Sequence, residues 1–227
     1  MAVSLEAEKG AAMKLNNLVW LASYPRSGNT LLRQILWHCF GLRSASVYKN
    51  DLGGNTALEE YVGHIEHNPN MHKQLEKYGV SLIKTHRLVE QNSNTPAIYV
   101  IRDGRAACVS LWKFFDGFIP LDAVIEGQHT FGTWSDHVMS WDPWNRQNTL
   151  LLEYENLSND LPKTLKSISS FLKKEIINSE IPARNQIAEI DGRWVRRKTS
   201  WRSELSGANL ERFIEINKKT LKKAGYI

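Results

Sequence analysis

The stretch LVWLASYPRSGNTLLRQILWHCF, residues 18–40, decides the architecture. Its first part, Leu18–Tyr24, is a short apolar run rich in β-formers and reads as a buried strand. A Pro-Arg-Ser-Gly-Asn turn follows, and Thr30–Phe40 then carries apolar residues at helical spacing. Small residues at a strand–helix turn let backbone N–H groups approach an anion, and the helix N-terminus adds a favourable dipole. Arg26 supplies a fixed charge, and Ser27, Asn29 and Thr30 supply donors. The turn therefore reads as a phosphate cradle, although a Gly-containing turn alone is a weak signal. It lacks the GxxxxGK[ST] pattern, and no Lys precedes Thr30, so the usual arrangement for a nucleoside triphosphate with Mg²⁺ is not present.

Three further short runs, Ser81–His86, Ala97–Arg102 and Leu150–Tyr154, read as buried strands. Helical patterns lie over Ala106–Phe115, Leu161–Leu172 and Ala208–Lys223, with Pro162 acceptable in a first turn. Strands alternating with helices predict an α/β fold with a mainly parallel sheet. Such sheets bind ligands at the carboxyl ends of their strands. Lys84 and His86 end the second run and would emerge beside the first loop. A neutral imidazole there can take a proton from an alcohol, and a Lys can neutralise charge on a leaving group. Arg102 ends the third run and Ser110 lies eight residues on, a pairing that suits a second phosphate. The alternative for Arg102 and Asp103 is a local ion pair at a turn. Trp134 and Trp141 share a helical face, as core or as an apolar wall for an acceptor. Trp112, Phe114, Phe115, Phe118 and Phe131 are further candidates for that wall.

The 227 residues suit one compact domain with a core of its own. With 42% hydrophobic and 23% charged residues, wholesale disorder is excluded. Cys39 and Cys108 make neither a disulfide framework nor a CxxC zinc site. Through residue 160 there are 14 basic and 17 acidic side chains; residues 161–227 hold 15 and 7. That basic last third points to an anionic partner: nucleic acid, a membrane surface or a phosphorylated small molecule. No run approaches the ~18–20 apolar residues of a bilayer span, and Met1–Lys14 lacks a signal-peptide core. The expectation is a soluble, cytoplasmic protein, with residues 1–15 as a disordered tail and no transmembrane segment.

Taken together, the residues resemble the sulfotransferase family that uses 3′-phosphoadenosine 5′-phosphosulfate (PAPS). Tyr24–Thr30 (YPRSGNT) resembles its 5′-phosphosulfate loop, usually YPKSGTTW, and Lys84-Thr85-His86 resembles its KTH motif. Ile98–Phe114 resembles its 3′-phosphate motif, with Arg102 and Ser110 in register. Trp134–Val138 with Trp141 is similar to its W-x-D-H-V-x-x-W stretch, Leu150–Leu172 to a strand ending in Tyr-Glu before a helix, and Arg197-Lys198 with Trp201-Arg202 to its RKG…WK segment. The matches run in order from about Leu18 to Phe213. The resemblance implies a single P-loop-kinase-like α/β domain over residues 1–227, with a central mainly parallel sheet flanked by helices. It implies PAPS as co-substrate, no metal, and transfer of a sulfonate group to a hydroxyl of a small molecule, glycan or lipid. By the same resemblance His86 is the general base, with Arg26 and Lys84 as the other catalytic residues. Arg26, Ser27, Gly28, Asn29 and Thr30 would hold the 5′-phosphosulfate. Arg102, Ser110, Arg197 and Lys198 would hold the 3′-phosphate, and Tyr154 would lie near the adenine. Three positions depart from the family pattern: the loop Lys is Arg26, the following aromatic is Leu31, and the Gly after Arg-Lys is Thr199. Arg cannot give up a proton at neutral pH, so Arg26 stabilises charge without acting as an acid.

Two other classes fit parts of the sequence. A P-loop small-molecule kinase shares the strand–loop–helix architecture but would need the missing GK[ST]. A non-enzymatic nucleic-acid-binding protein could use Arg193, Arg196, Arg197, Lys198 and Arg202 interleaved with Trp194 and Trp201. No nucleic-acid partner is expected, and neither the acceptor nor the oligomeric state is legible in the sequence.

Overall fold

The computed structural model describes residues 17–89, 93–191 and 200–227. The expected tail at 1–15 and the basic pair Arg197-Lys198 lie outside the described residues. In chain order the elements are β1 (Leu18–Ala22), α1 (Asn29–Phe40), β2 (Ser44–Ser46), α2 (Thr56–Val62), α3 (Met71–Glu76), β3 (Ser81–Thr85), β4 (Ala97–Ile101) and α4 (Gly104–Phe114). They continue with α5 (Leu121–Ile125), α6 (Trp134–Trp141), β5 (Thr149–Glu153), α7 (Tyr154–Asn159), α8 (Leu161–Leu172), α9 (Arg184–Ile190), a 3₁₀ turn at Trp201–Ser203 and α10 (Gly207–Lys223).

All four expected strands form, and every pairing in the sheet is parallel, in the order β2-β3-β1-β4-β5. Near-continuous apolar sequence is the mark of strands covered on both faces. On one face Leu21, Ile98, Val100 and Leu152 pack with Leu32, Ile35 and Leu36 of α1 and with Leu165 and Ile168 of α8. On the other, Ala22, Tyr99 and Ile101 pack with Ala107, Cys108 and Leu111 of α4, Trp134 and Trp141 of α6, and Phe213 and Leu221 of α10. Successive strand residues thus divide between two helical layers, making a single three-layer α/β domain. No helix among the described residues is long and apolar enough to cross a membrane.

The strand β2 was not expected. Its three residues, Ser-Ala-Ser, carry no β-pattern, and they are buried because Ser44 bonds a buried arginine and Ala45 packs under β3. Between β2 and β3, and between α4 and β5, the chain forms α2, α3, α5 and α6, each of eight residues or fewer. Trp134 and Trp141 are 1% and 2% exposed, so their shared face is core and not an acceptor wall.

Gly104 opens α4 directly under Trp134: a Cβ there would lie 2.4 Å from the indole Cδ2. Both groups are buried, so Gly104→Ala is expected to destabilise the fold by about 1–3 kcal/mol through overpacking. Urea unfolding reads this as a lower midpoint; an unchanged midpoint would contradict the packing described.

Candidate functional site

Because β1, β3, β4 and β5 are parallel, their carboxyl ends open on one rim. There the chain leaves them through residues 23–30, His86, Arg102 and Tyr154. A cavity of about 770 Å³ lies on that rim, within the usual ~300–1,000 Å³ of a small-molecule site. Arg26, Gly28, Asn29, Thr30, Lys84, His86, Arg102, Ser110 and Tyr154 all line it. Nine of the expected residues therefore converge from five separate segments of chain.

The first loop is shaped for close approach. Arg26 has φ 65° and Gly28 φ 105°, so the backbone turns twice through the left-handed region. A Cβ on Gly28 would meet the Tyr154 ring at 2.4 Å, which explains why a glycine stands here. Gly28 caps α1 without any side-chain hydrogen bond, leaving the helix N-terminus open to the cavity. Ser27 Oγ is buried without a partner, an orphaned hydroxyl beside that terminus. These features suit the phosphate of an anionic ligand. Asn29 behaves differently from expectation: its Nδ2 donates to the Leu21 carbonyl at 2.8 Å, so the side chain ties α1 to β1.

Arg102 braces the loop from β4. Its Nη1 donates to the Arg26 carbonyl at 2.8 Å, and its guanidinium lies 4.3 Å from the centre of the Tyr154 ring. The local ion pair proposed for Arg102 and Asp103 is instead Asp103 with Arg105, at 2.9 Å, and Asp103 also caps α4. Arg26 Nε donates to Ser110 Oγ at 3.3 Å, joining residues expected at opposite ends of the nucleotide. Trp201 lines the cavity, with the Arg105 and Arg202 guanidiniums 4.6 and 4.4 Å from its ring centre.

The His86 ring is fixed in one tautomer. Nδ1 lies 2.7 Å from the Ser23 carbonyl oxygen, which can only accept, so Nδ1 carries the proton and Nε2 keeps its lone pair. Burial, reinforced by the Lys84 charge, holds His86 well below the ordinary imidazole range and therefore neutral. Its backbone is held as firmly. The His86 N–H donates to Tyr48 Oη at 3.1 Å, and the His86 carbonyl accepts from His137 Nε2 at 3.1 Å. His137 is itself set by Tyr99, whose hydroxyl donates to Nδ1 at 2.9 Å, and Trp141 Nε1 donates to the Arg87 carbonyl at 3.0 Å. The His and second Trp of the α6 motif thus anchor the chain just beyond β3.

Several cavity residues had no signal in the sequence. Tyr48 and Asp51 line the cavity from the loop after β2, and Asp51 pairs with Lys84 and with Arg33. Gln34, one turn beyond Thr30, lines it too. Of the aromatics considered for an acceptor wall, Phe114, Phe115 and Phe131 line the cavity, while Phe118 is 91% exposed.

Comparison with known proteins agrees with this geometry. The family model described as "Sulfotransferase domain" matches residues 16–191. The luciferin sulfotransferase of Photinus pyralis is 25% identical over 202 residues, covering 71% of this chain and 52% of that protein. The chain thus spans about half the length of that curated relative. Mouse sulfotransferase SULT7A1, solved with PAP, superposes with a TM-score of 0.61 at 19% identity, over 91% of this chain and 85% of the other. Retinol dehydratase, solved with retinol and PAP, superposes with a TM-score of 0.63 at 19% identity, over 93% and 82%. At those identities the structures establish the shared fold.

Buried His64 and His137 and the partly buried His86 are neutral in the folded protein. Burial lowers His137 to about 3, and burial with the Arg33 charge lowers His64 to about 4; His86 is also depressed. In the unfolded chain each protonates near pH 6.5, so the unfolded state binds more protons as the pH falls below that value. Stability is therefore full above about pH 6.5 and falls by roughly 1.4 kcal/mol per pH unit for each such histidine down to its folded value. Urea titrations at pH 7.5, 6 and 5 should show a steady loss; equal stabilities would show these imidazoles to be solvated.

Proposed function

The chain belongs to the sulfotransferase domain family, and from that premise we propose that it transfers a sulfonate group from PAPS to a hydroxyl of an acceptor. The observation that carries this reading is the tautomer of His86: a neutral ring on the cavity wall, its Nδ1–H held by Ser23 and its Nε2 left as a base. PAPS supplies a sulfonate already activated as a mixed anhydride with phosphate. The chain's part is to bind that anion, keep the acceptor in line and move one proton. His86 Nε2 accepts the hydroxyl proton as the acceptor oxygen attacks sulfur. Arg26, Lys84 and the uncapped N–H groups of α1 stabilise the charge that grows on the leaving phosphate oxygen. As in phosphoryl transfer, positioning and electrostatics do most of the work.

Arg102 and Ser110, with Arg197 and Lys198 from outside the described residues, hold the 3′-phosphate in this reading. Arg102 and Tyr154 have a second duty, since both press on the loop that binds the 5′ side. The apolar side of the cavity, with Phe114, Phe115 and Phe131, suits an acceptor with an apolar body.

Incubation with labelled PAPS and an acceptor panel, followed by mass, tests the reaction. PAP and PAPS should raise the melting temperature and ATP–Mg²⁺ should not; the reverse would favour a kinase. His86→Ala is expected to lose about 10²–10⁴-fold in kcat while still binding PAP, and near-normal turnover would remove His86 as the base. Because His86 is depressed below its usual range, wild-type turnover should stay level from pH 8 down to about pH 6. An acid limb centred near the ordinary histidine value would contradict the neutral ring.

A further inference from the structure

Lys84 is buried to 6% exposure on the cavity wall, yet the proposed chemistry needs it as an ammonium. Burial alone drives a lysine to release its proton, by up to about 3–5 pH units when complete. The groups facing it are unequal in sign. Arg33 reaches from α1 and Arg26 from the first loop, both positive; neutral His86 follows two residues on in the chain; the Tyr48 ring lies 5.5 Å from Nζ. The carboxylate that meets the ammonium is Asp51, whose Oδ1 accepts from Lys84 Nζ.

Asp51 is held in turn. Its Oδ2 accepts from Arg33 Nη1 at 2.8 Å, with the two side chains 4% and 0% exposed. Arg33 is fixed at its other nitrogens: Nε donates to Ser44 Oγ at 2.9 Å and Nη2 to His64 Nδ1 at 2.5 Å. His64 Nε2 then donates to Glu66 Oε2 at 3.1 Å, near the surface. The chain of bonds runs from the rim of the protein to the cavity wall and ends on Lys84. Burial opposes ionisation of Asp51, but the charges of Lys84 and Arg33 overcome it and bring the carboxyl down to about 2. One carboxylate therefore serves two buried cations. If it is lost, Arg33 cannot neutralise and Lys84 can.

Resting on the sulfotransferase reading, we propose that Asp51 is a positioning residue: anchored by Arg33, its carboxylate keeps Lys84 a localised ammonium on the cavity wall, ready for the charge that develops on the leaving phosphate. Asp51 touches Lys84 and need not touch the co-substrate. An ammonium carries three donors, and Asp51 takes one, so the others remain for the bound anion. Tyr48 links this placement to the base, because its ring flanks Lys84 while its hydroxyl oxygen accepts from the backbone N–H of His86.

The experiment follows the ionisation of Lys84 itself in ¹³C-lysine-labelled protein, its resonance identified by its loss in Lys84→Arg. In wild type Lys84 should hold its proton into the alkaline range. In Asp51→Asn its midpoint should fall by about two pH units or more. An unmoved midpoint in folded Asp51→Asn overturns the proposal. PAP binding by calorimetry in buffers of different ionisation enthalpy gives a second readout near pH 9. Asp51→Asn should take up a proton on binding, where wild type takes up none. If wild type binds no PAP, the sulfotransferase reading falls and the catalytic role of Asp51 with it. If both bind PAP with the same proton uptake, the role of Asp51 alone is overturned. Should Asp51→Asn not fold, Asp51→Glu decides. It keeps the charge but shifts it, so Lys84 should stay ionised and PAP affinity should hold, while turnover drops about 10- to 100-fold. Unchanged turnover in Asp51→Glu overturns the positioning role, which mere support of the fold would not predict.

Discussion

The parallel register at the centre of the sheet is the constraint on which the site depends. β1 pairs with β3 so that Leu21 stands opposite Lys84 and Ala22 opposite Thr85. One step further, Ser23 stands beside His86, and the Ser23 carbonyl that no longer serves the ladder receives the imidazole Nδ1–H. On the other side β1 pairs with β4, Ala22 opposite Tyr99, which brings Arg102 within reach of the Arg26 carbonyl. A slip of one residue in either pairing would exchange the faces of every side chain along the strand. It would send His86 or Arg102 away from the cavity. The register is protected by burial on both faces: Leu21 and Leu82 on one side and Ala22 and Tyr99 on the other have no solvent-facing alternative.

Much of this was legible in the sequence because the elements that build the rim are the ones with the clearest local signals. β1, β3, β4 and β5 are apolar runs that end in polar residues, and α1 and α8 begin at recognisable turns. The convergence of Lys84, His86, Arg102 and Tyr154 follows from parallel topology alone. What escaped was of two kinds. The strand β2 is three small residues whose burial is decided by tertiary partners, so no periodicity reveals it. Asp51 and Tyr48 lie in the loop between β2 and α2, and their partners are 33 and 38 residues away in sequence. A long-range pairing of that kind leaves no local pattern. The tryptophans of α6 show the converse limit: helical spacing established that Trp134 and Trp141 share a face, but only packing could show that this face looks into the core.

The loop after β1 also shows why residue type and side-chain role part company. Asn29 sits where a ligand donor is expected, yet its amide bonds the Leu21 carbonyl. Tyr154 sits where an adenine contact is expected, and it also presses on Gly28 and under Arg102. In both cases the loop is shaped by side chains, which frees its backbone N–H groups and the N-terminus of α1 to face an anion. A cradle made of backbone is insensitive to side-chain identity, provided its shape is kept. A loop of this kind accommodates Arg26 in place of the lysine of the family pattern, since both are cations and the turn is set by Gly28 and its neighbours.

The electrostatics of the rim set two adjacent groups in opposite states by one means. Burial disfavours charge on both Lys84 and His86. For His86 the Asp51 carboxylate offsets this only in small part, and the ammonium beside it adds to the penalty, so the imidazole stays neutral. Lys84 has Asp51, itself steadied by Arg33, and so can remain charged in the same surroundings. A base and a cation two residues apart on one strand end would ordinarily compete for protonation. Asp51 touches Lys84 and acts on His86 only weakly, which separates the two, and groups driven apart in this way are what proton transfer coupled to charge stabilisation requires. In the proposed reaction the network from Glu66 through His64 and Arg33 is therefore more than a way to satisfy a buried guanidinium: it positions the carboxylate that would keep the proposed base and the neighbouring cation distinct.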